Sequence, residues 1–360
     1  MNQWPSWLPL RQNLQELSAY GAPQLPADAV MNTNENPYPP SAALAKAIAD
    51  RISEVALTLN RYPDRDALVL RGKLADFING LSRTKFGSAN VWAANGSNEI
   101  IQSLFMAFGG GTALGFTPSY SMHPLIAKVT QVQWLNGNRR EDFTLDIDSA
   151  IEQIQRDKPT LTFITTPNNP TGSSVTIEEI EKIAKSTSGL LIVDEAYAEF
   201  SDEISAVTLI EKYPHVVVIR TMSKAFAFAG ARLGYLVADK TVVDGLKVVR
   251  LPYHLSSLTQ AAALVALENA KMMQSEITEI VKSRQVVKDG LEKLGLKVID
   301  SGANFLFFTG FKGSSEQLWQ QLLDQQLLVR DVGYAGYLRV SIGTESENQK
   351  FLQSIKLILG

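Results

Sequence analysis

Short apolar runs punctuate the middle of the chain. Val91–Ala94, Leu161–Thr165, Leu190–Val193, Val216–Ile219 and Leu233–Val237 are each four or five residues of mainly aliphatic and β-branched type. After the first of them the period changes: Ile100, Ile101, Leu104, Phe105, Ala107 and Phe108 recur at helical spacing. A strand with no polar face has none to show to water. From about 88 to 240 this alternation therefore predicts an α/β fold with a mostly parallel sheet flanked by helices.

Beyond residue 255 the pattern differs. Residues 255–290 are rich in Ala and Leu and read as helix. Leu296–Ile299, Phe305–Phe308, Leu327–Val329 and Leu338–Ser341 are strand-like, with helical periods near 315–326 and 345–359 between them. A smaller α+β domain is expected. Residues 1–40, rich in Pro and Asn, read as an arm. The division that follows is an N-terminal arm over 1–40 joining the small domain, a large domain over 41–260 and a small C-terminal domain over 261–360.

Composition narrows the chemistry. At 360 residues with a net charge of −3 and no basic stripe, nucleic acid and anionic membrane are excluded as main partners. No run reaches the ~18 apolar residues of a spanning helix. The first residues lack the basic start and apolar core of a signal peptide, so a soluble cytoplasmic protein is expected. Cysteine is absent, which removes disulfides and thiolates together. Only His123, His215 and His254 exist, without ligand spacing, so no metal is expected and each reads as a satisfied or exposed histidine. An enzyme of this composition needs a borrowed cofactor.

In parallel sheets ligands bind beyond the carboxyl ends of the strands, and the suggestive residues fall there. Gly96-Ser97-Asn98 follows the first run, Asn168-Asn169-Pro170 the second, and Asp194 ends the third. Lys224, in Thr221-Met222-Ser223-Lys224, lies just past the fourth. A lysine that condenses with an aldehyde, plus an acid for a pyridine nitrogen, is what pyridoxal 5′-phosphate chemistry needs.

The remaining roles follow from that pair. Gly96, Ser97 and Asn98 at a helix start suit a phosphate, with hydroxyls from Thr221 and Ser223 and a charged fork from Arg232. Tyr197 and Asn169 can hydrogen-bond the ring's phenolic oxygen, and Tyr120 can stack on its face. Arg330 and Arg339 interrupt apolar strand patterns, as carboxylate- or phosphate-binding guanidiniums do. Each has a bland alternative: helix cap, turn residue, solvated lysine, or an Arg330–Asp331 packing pair. The accumulation at four strand ends carries the case.

Asn169-Pro170-Thr171-Gly172, Asp194…Tyr197, Ser223-Lys224 and Arg232 together resemble the fold-type I pyridoxal-phosphate aminotransferases over essentially the whole chain. Tyr20-Gly21-Ala22-Pro23, Asn34-Glu35-Asn36-Pro37 and Asn60-Arg61-Tyr62-Pro63 place the likeness nearest the histidinol-phosphate branch, of actinobacterial type. Pro39 and Ala231 depart from the wider pattern without touching a proposed role. The resemblance implies amino-group exchange between L-histidinol phosphate and 2-oxoglutarate (returned as glutamate) in histidine biosynthesis, with catalytic Lys224, Asp194 and Tyr197. It implies a homodimer in which Tyr62 reaches the partner's cofactor phosphate, and substrate contacts from Tyr20, Asn36, Arg330 and Arg339. An aromatic (phenylalanine) aminotransferase is the alternative. A decarboxylase of a phosphorylated amino acid and an idle cofactor-binding protein are the further rivals.

Overall fold

The computed structural model describes residues 4–360; the first three residues of the N-terminal segment lie outside the described residues. Strand β1 (Ala29–Val30) opens the fold. The large sheet holds β2 (Val91–Ala94), β3 (Thr112–Thr117), β4 (Gln133–Asn138), β5 (Leu161–Thr165), β6 (Leu190–Asp194), β7 (Val216–Thr221) and β8 (Gly234–Val237). The C-terminal part adds β9 (Lys297–Ile299), β10 (Phe305–Thr309), β11 (Leu327–Leu328) and β12 (Leu338–Ser341).

The seven strands lie in the order β2-β8-β7-β6-β5-β3-β4. β3 to β7 run parallel, while β8 is antiparallel to both β7 and β2, so β2 points the same way as β7. Strand side chains alternate between two faces. In β7, Val216 and Val218 join one core while Val217 and Ile219 join the other. Helices cover both: Leu68–Ser82 buries Leu70, Leu74 and Ile78 on one face, and Ser97–Phe108 buries Ile100, Ile101, Leu104 and Phe105 on the other. The apolar runs are continuous because both faces are covered.

Two strands were not apparent from the hydrophobic pattern. β4 is an edge strand, Gln-Trp-Leu-Asn-Gly-Asn, buried fully only at Gly137. β3 carries Gly115, whose missing side chain leaves room for the Trp134 ring. Neither shows a β-branched apolar run.

β9, β10 and β12 form an antiparallel sheet in the order β12-β10-β9. β1 pairs in parallel with β11. The N-terminal segment then runs inward: Met31, Asn32 and Asn34 are buried, and Ser341 donates its backbone N–H to the Met31 carbonyl. Its Pro- and Asn-rich composition suggests a peripheral arm, yet its end passes through the centre, where the Asn34 amide donates to the Tyr197 hydroxyl and accepts from Ser341 Oγ.

Candidate active site

Ala94, Thr165, Asp194 and Thr221 end β2, β5, β6 and β7 on one edge of the large sheet. A cavity of about 410 Å³ opens there, closed from the opposite side by residues 32–35, Arg330 and Arg339. Of the residues singled out from sequence, Ser97, Asn98, Tyr120, Asn169, Asp194 and Tyr197 line it, as do Thr221, Ser223, Lys224 and Arg232. Tyr20, Arg330 and Arg339 line it as well.

The anion end is built by close approach. Gly96 has φ +84, and a Cβ on it would lie 2.6 Å from Arg232 Nη2. Gly234, opposite Ala94 in the ladder, similarly leaves room for the Gly96–Ser97 backbone. Only glycine permits both the left-handed turn and the contact. Ser97 begins a helix, whose first N–H groups lack intrahelical acceptors. Thr221 Oγ1 donates to Ser223 Oγ at 3.0 Å, placing two hydroxyls beside Arg232.

At the opposite end Asp194 is buried and meets His123 Nε2 at 3.1 Å. The His123 ring is itself buried and packs on Phe163, with centroids 4.7 Å apart. His123 is thus a satisfied, buried histidine, as read from the sequence, but its partner is the candidate acid Asp194, a link the sequence reading did not draw. The available signal was its spacing, three positions after Tyr120.

Between the ends lies Lys224, whose Nζ donates to the Thr33 carbonyl at 2.8 Å. Burial, with Arg339 and then Arg232 adding repulsion against Glu35's opposing attraction, lowers its pKa to about 8. Tyr197 Oη accepts from Asn34 Nδ2 at 3.0 Å and Asn169 Nδ2 at 3.2 Å, and burial raises its pKa. Tyr120 Oη donates to Asn98 Oδ1 at 3.1 Å, and its burial raises the phenol's pKa.

The two arginines differ. Arg339 is buried and already committed: Nη1 donates to Asn169 Oδ1 and Nη2 to the Asn32 carbonyl, both at 2.6 Å, leaving Nε without an acceptor. Burial lowers its pKa to about 10. Arg330 makes no ion pair among the described residues, and Asp331 instead accepts from the Gly333 N–H at 2.8 Å. The packing-pair alternative is therefore not what the structure contains.

Three predicted residues lie outside the cavity lining: Gly96, which gives the backbone room behind it, Asn36 and Tyr62. Asn36 donates to the Ala225 carbonyl at 3.2 Å and accepts from the Tyr38 N–H, so it braces the lysine segment rather than facing the cavity. Tyr62 is 80 % exposed and stacks on Tyr253 at 4.4 Å, away from the cavity of its own chain. Asn32, Thr33, Asn34 and Glu35 line the cavity without having been individually assigned roles. Only the arm's inward course brings them there.

The donor set fits pyridoxal phosphate: a glycine-cradled cationic end, a buried carboxylate at the other, and a partly neutral lysine between. These features define a cofactor-dependent group-transfer site on a doubly wound sheet. The chain belongs to the family Aminotransferase class I and II, which matches residues 29–355, and the family's enzymes depend on pyridoxal phosphate.

Its relatives are more specific. The chain is 49% identical to histidinol-phosphate aminotransferase of Corynebacterium diphtheriae over 352 residues, covering 97% of this chain and 96% of that protein. It is 51% identical to the Mycobacterium marinum protein of the same name over 350 residues, 96% of this chain and 91% of the other. Among solved structures, the fold matches histidinol-phosphate aminotransferase from Sinorhizobium meliloti in complex with pyridoxal-5′-phosphate. There the TM-score is 0.86 at 21% identity, covering 98% of this chain and 97% of that one.

Proposed function

We propose that this chain transfers the amino group of L-histidinol phosphate to 2-oxoglutarate, using pyridoxal phosphate. The support is the near-full-length identity to proteins of that name, combined with one cavity feature. Arg330, without an ion-pair partner among the described residues, faces the same space as Lys224.

When bound, the cofactor supplies an aldehyde that condenses with amines and a pyridine ring that draws electrons from the substrate Cα–H bond. The chain's residues do the rest. Ser97, Asn98, Thr221, Ser223 and Arg232 hold its phosphate through hydroxyls, amides and one guanidinium, with Gly96 giving the backbone room. Asp194, oriented by His123, holds a proton on the ring nitrogen. Tyr197 and Asn169 bind the phenolic oxygen, and Tyr120 packs on the ring.

Lys224 carries the cofactor at rest and is the base at the substrate Cα once displaced. A pKa near 8 leaves an appreciable fraction as free amine at neutral pH, as proton abstraction requires. Arg330, Arg339 and Tyr20 receive the substrate anion. Histidinol phosphate carries a dianionic phosphate and no carboxylate, and glutamate the reverse. A shared guanidinium serves both because its planar fork fits either anion. Asn36 contributes through the lysine segment.

The protein is proposed to act as a cytoplasmic homodimer. Leu57, Val69, Val248 and Leu251 are large apolar side chains left 66% to 87% exposed in the single chain, and a partner subunit would cover such area. Tyr62, 80% exposed and stacked on Tyr253, is the residue this reading sends to the partner's phosphate site. Sedimentation at micromolar concentration tests this; a monomer with full activity contradicts it. The donor is tested by adding histidinol phosphate to the holoenzyme and following loss of the cofactor's visible absorbance. No spectral change, with phenylalanine reacting fast, assigns the chain to aromatic donors instead.

A further inference from the structure

We propose that Phe143, outside the cavity, is the positioning residue that aims Arg330 at the substrate anion. The inference rests on the reading of Arg330 as the anion's ligand.

Phe143 lies in the turn closed by the Arg139–Leu145 bridge, between β4 and the helix Ile147–Asp157. It is buried, with φ +66, a conformation costly for a bulky side chain and kept only where the surroundings enforce it. The enforcement is visible. The Phe143 N–H donates to the Arg140 carbonyl, and the Arg140 N–H to the Thr144 carbonyl, both at 2.9 Å. The Phe143 carbonyl accepts from Ser173 Oγ at 3.0 Å and Arg139 Nη1 at 3.2 Å. Behind it runs a chain of polar contacts: Ser173 to Thr171, Thr171 to Asn168 and Asn168 to Ser119, each 2.8 Å, then Ser119 to Thr165 at 3.0 Å. Thr165 and the neighbouring Asn169 line the cavity. The turn is thereby tied to the loop that presents Asn169.

The Phe143 ring faces the other way, onto the small sheet. It meets Phe307, Tyr334 and Tyr337 edge-on, with centroids 5.5, 5.4 and 5.3 Å away. Tyr337 stacks on Phe307 at 4.7 Å. Tyr334 and Tyr337 belong to the segment 331–338, and its two ends are Arg330 and Arg339. Those arginines exchange both backbone hydrogen bonds at 2.9 Å, so the segment is a closed hairpin whose tip rests on Phe143.

The side chain of Arg339 is fixed by Asn169 and Asn32, whereas Arg330 has no such anchor. The aim of Arg330 therefore follows the tilt of the hairpin, and Phe143 sets that tilt relative to the loop carrying Asn169. Geometric errors near 1 Å at a binding group cost up to about a hundredfold.

The test uses holoenzyme and inorganic phosphate as the anion probe, titrated by calorimetry into wild type, Phe143→Leu, Arg330→Ala and the double variant. Phe143→Leu is expected to weaken phosphate binding about tenfold, and the double variant to bind no more weakly than Arg330→Ala, since coupled residues are non-additive. Phe143→Tyr restores binding. In parallel, Phe143→Leu raises KM for histidinol phosphate while leaving turnover of phosphate-free L-histidinol unchanged. Unchanged phosphate affinity in Phe143→Leu, additive losses in the double variant, or equal losses on both donors would overturn the proposal. Phosphate binding that needs Arg330 and Phe143 in an enzyme inert toward histidinol phosphate would sink the donor reading and leave this one standing.

Discussion

Arg339 Nη1 and Asn169 Oδ1 lie 2.6 Å apart, joining β12 of the small sheet to the loop after β5 of the large one. Through Asn169 Nδ2 the contact continues to the Tyr197 hydroxyl. One guanidinium thus helps to fix both the residue proposed to bind the cofactor's phenolic oxygen and its neighbour.

This commitment separates the two arginines. Removing Arg339 leaves Asn169 and the Asn32 carbonyl without donors inside the protein, and such losses cost roughly 1–3 kcal/mol each. Arg339→Ala is expected to lower Tm by several degrees and weaken cofactor retention. Arg330→Ala, without ion pairs to break, is expected to leave Tm within about 1 °C while weakening both half-reactions. Thermal melts beside single-turnover rates check this; an intact half-reaction in Arg330→Ala contradicts a shared anion site.

Lys224 gives a pH prediction. Its folded pKa near 8 lies below the ordinary lysine value near 10.4, so charging it costs the folded state. Between those values the unfolded chain binds the extra proton, and this group makes stability rise with pH. The penalty is fully present below pH 8 and gone above about 10.5. In cofactor-free protein, Lys224→Met should therefore raise Tm relative to wild type most at pH 7, with the gain shrinking as pH rises. A gain independent of pH would mean that the charge is not the cause.

His123 supplies a third. Replacing it by Phe keeps the packing on Phe163 but deprives Asp194 of a buried partner at 3.1 Å. The expected result is a roughly tenfold faster loss of pyridoxal phosphate, because Oδ2 is left buried without a partner while Oδ1 keeps only the Ala196 N–H, and the carboxylate reorients. Cofactor dissociation followed by absorbance decides it, and an unchanged rate would show that Asp194 needs no orienting group.

Much of this site was legible because strand ends and motifs coincide. Val91–Ala94, Leu161–Thr165 and Leu338–Ser341 occupy the residues that the apolar runs mark. Asp194 and Lys224 follow from where such runs stop. β3 and β4 were not legible, since Gly115 and an edge position dilute their apolar signal. Nor was the Asn32–Glu35 lining. Asparagine-rich segments read as loops, and only the pairing of β1 with β11 and the Asn34–Ser341 contacts turn this one inward. His123 was missed because a single histidine has no periodicity; its meaning lies in a contact 71 residues away in sequence.

One cavity, built around Lys224 and Arg330, is proposed to accept a phosphorylated amine and a dicarboxylate in turn. Stopped-flow absorbance of the holoenzyme, mixed separately with histidinol phosphate, glutamate and phenylalanine at equal concentration, tests it most directly. Fast loss of the cofactor's visible band is expected with the first two and a slow change with phenylalanine. A fast response to phenylalanine with little to histidinol phosphate would contradict it, leaving the cofactor site intact and Arg330 without its phosphate.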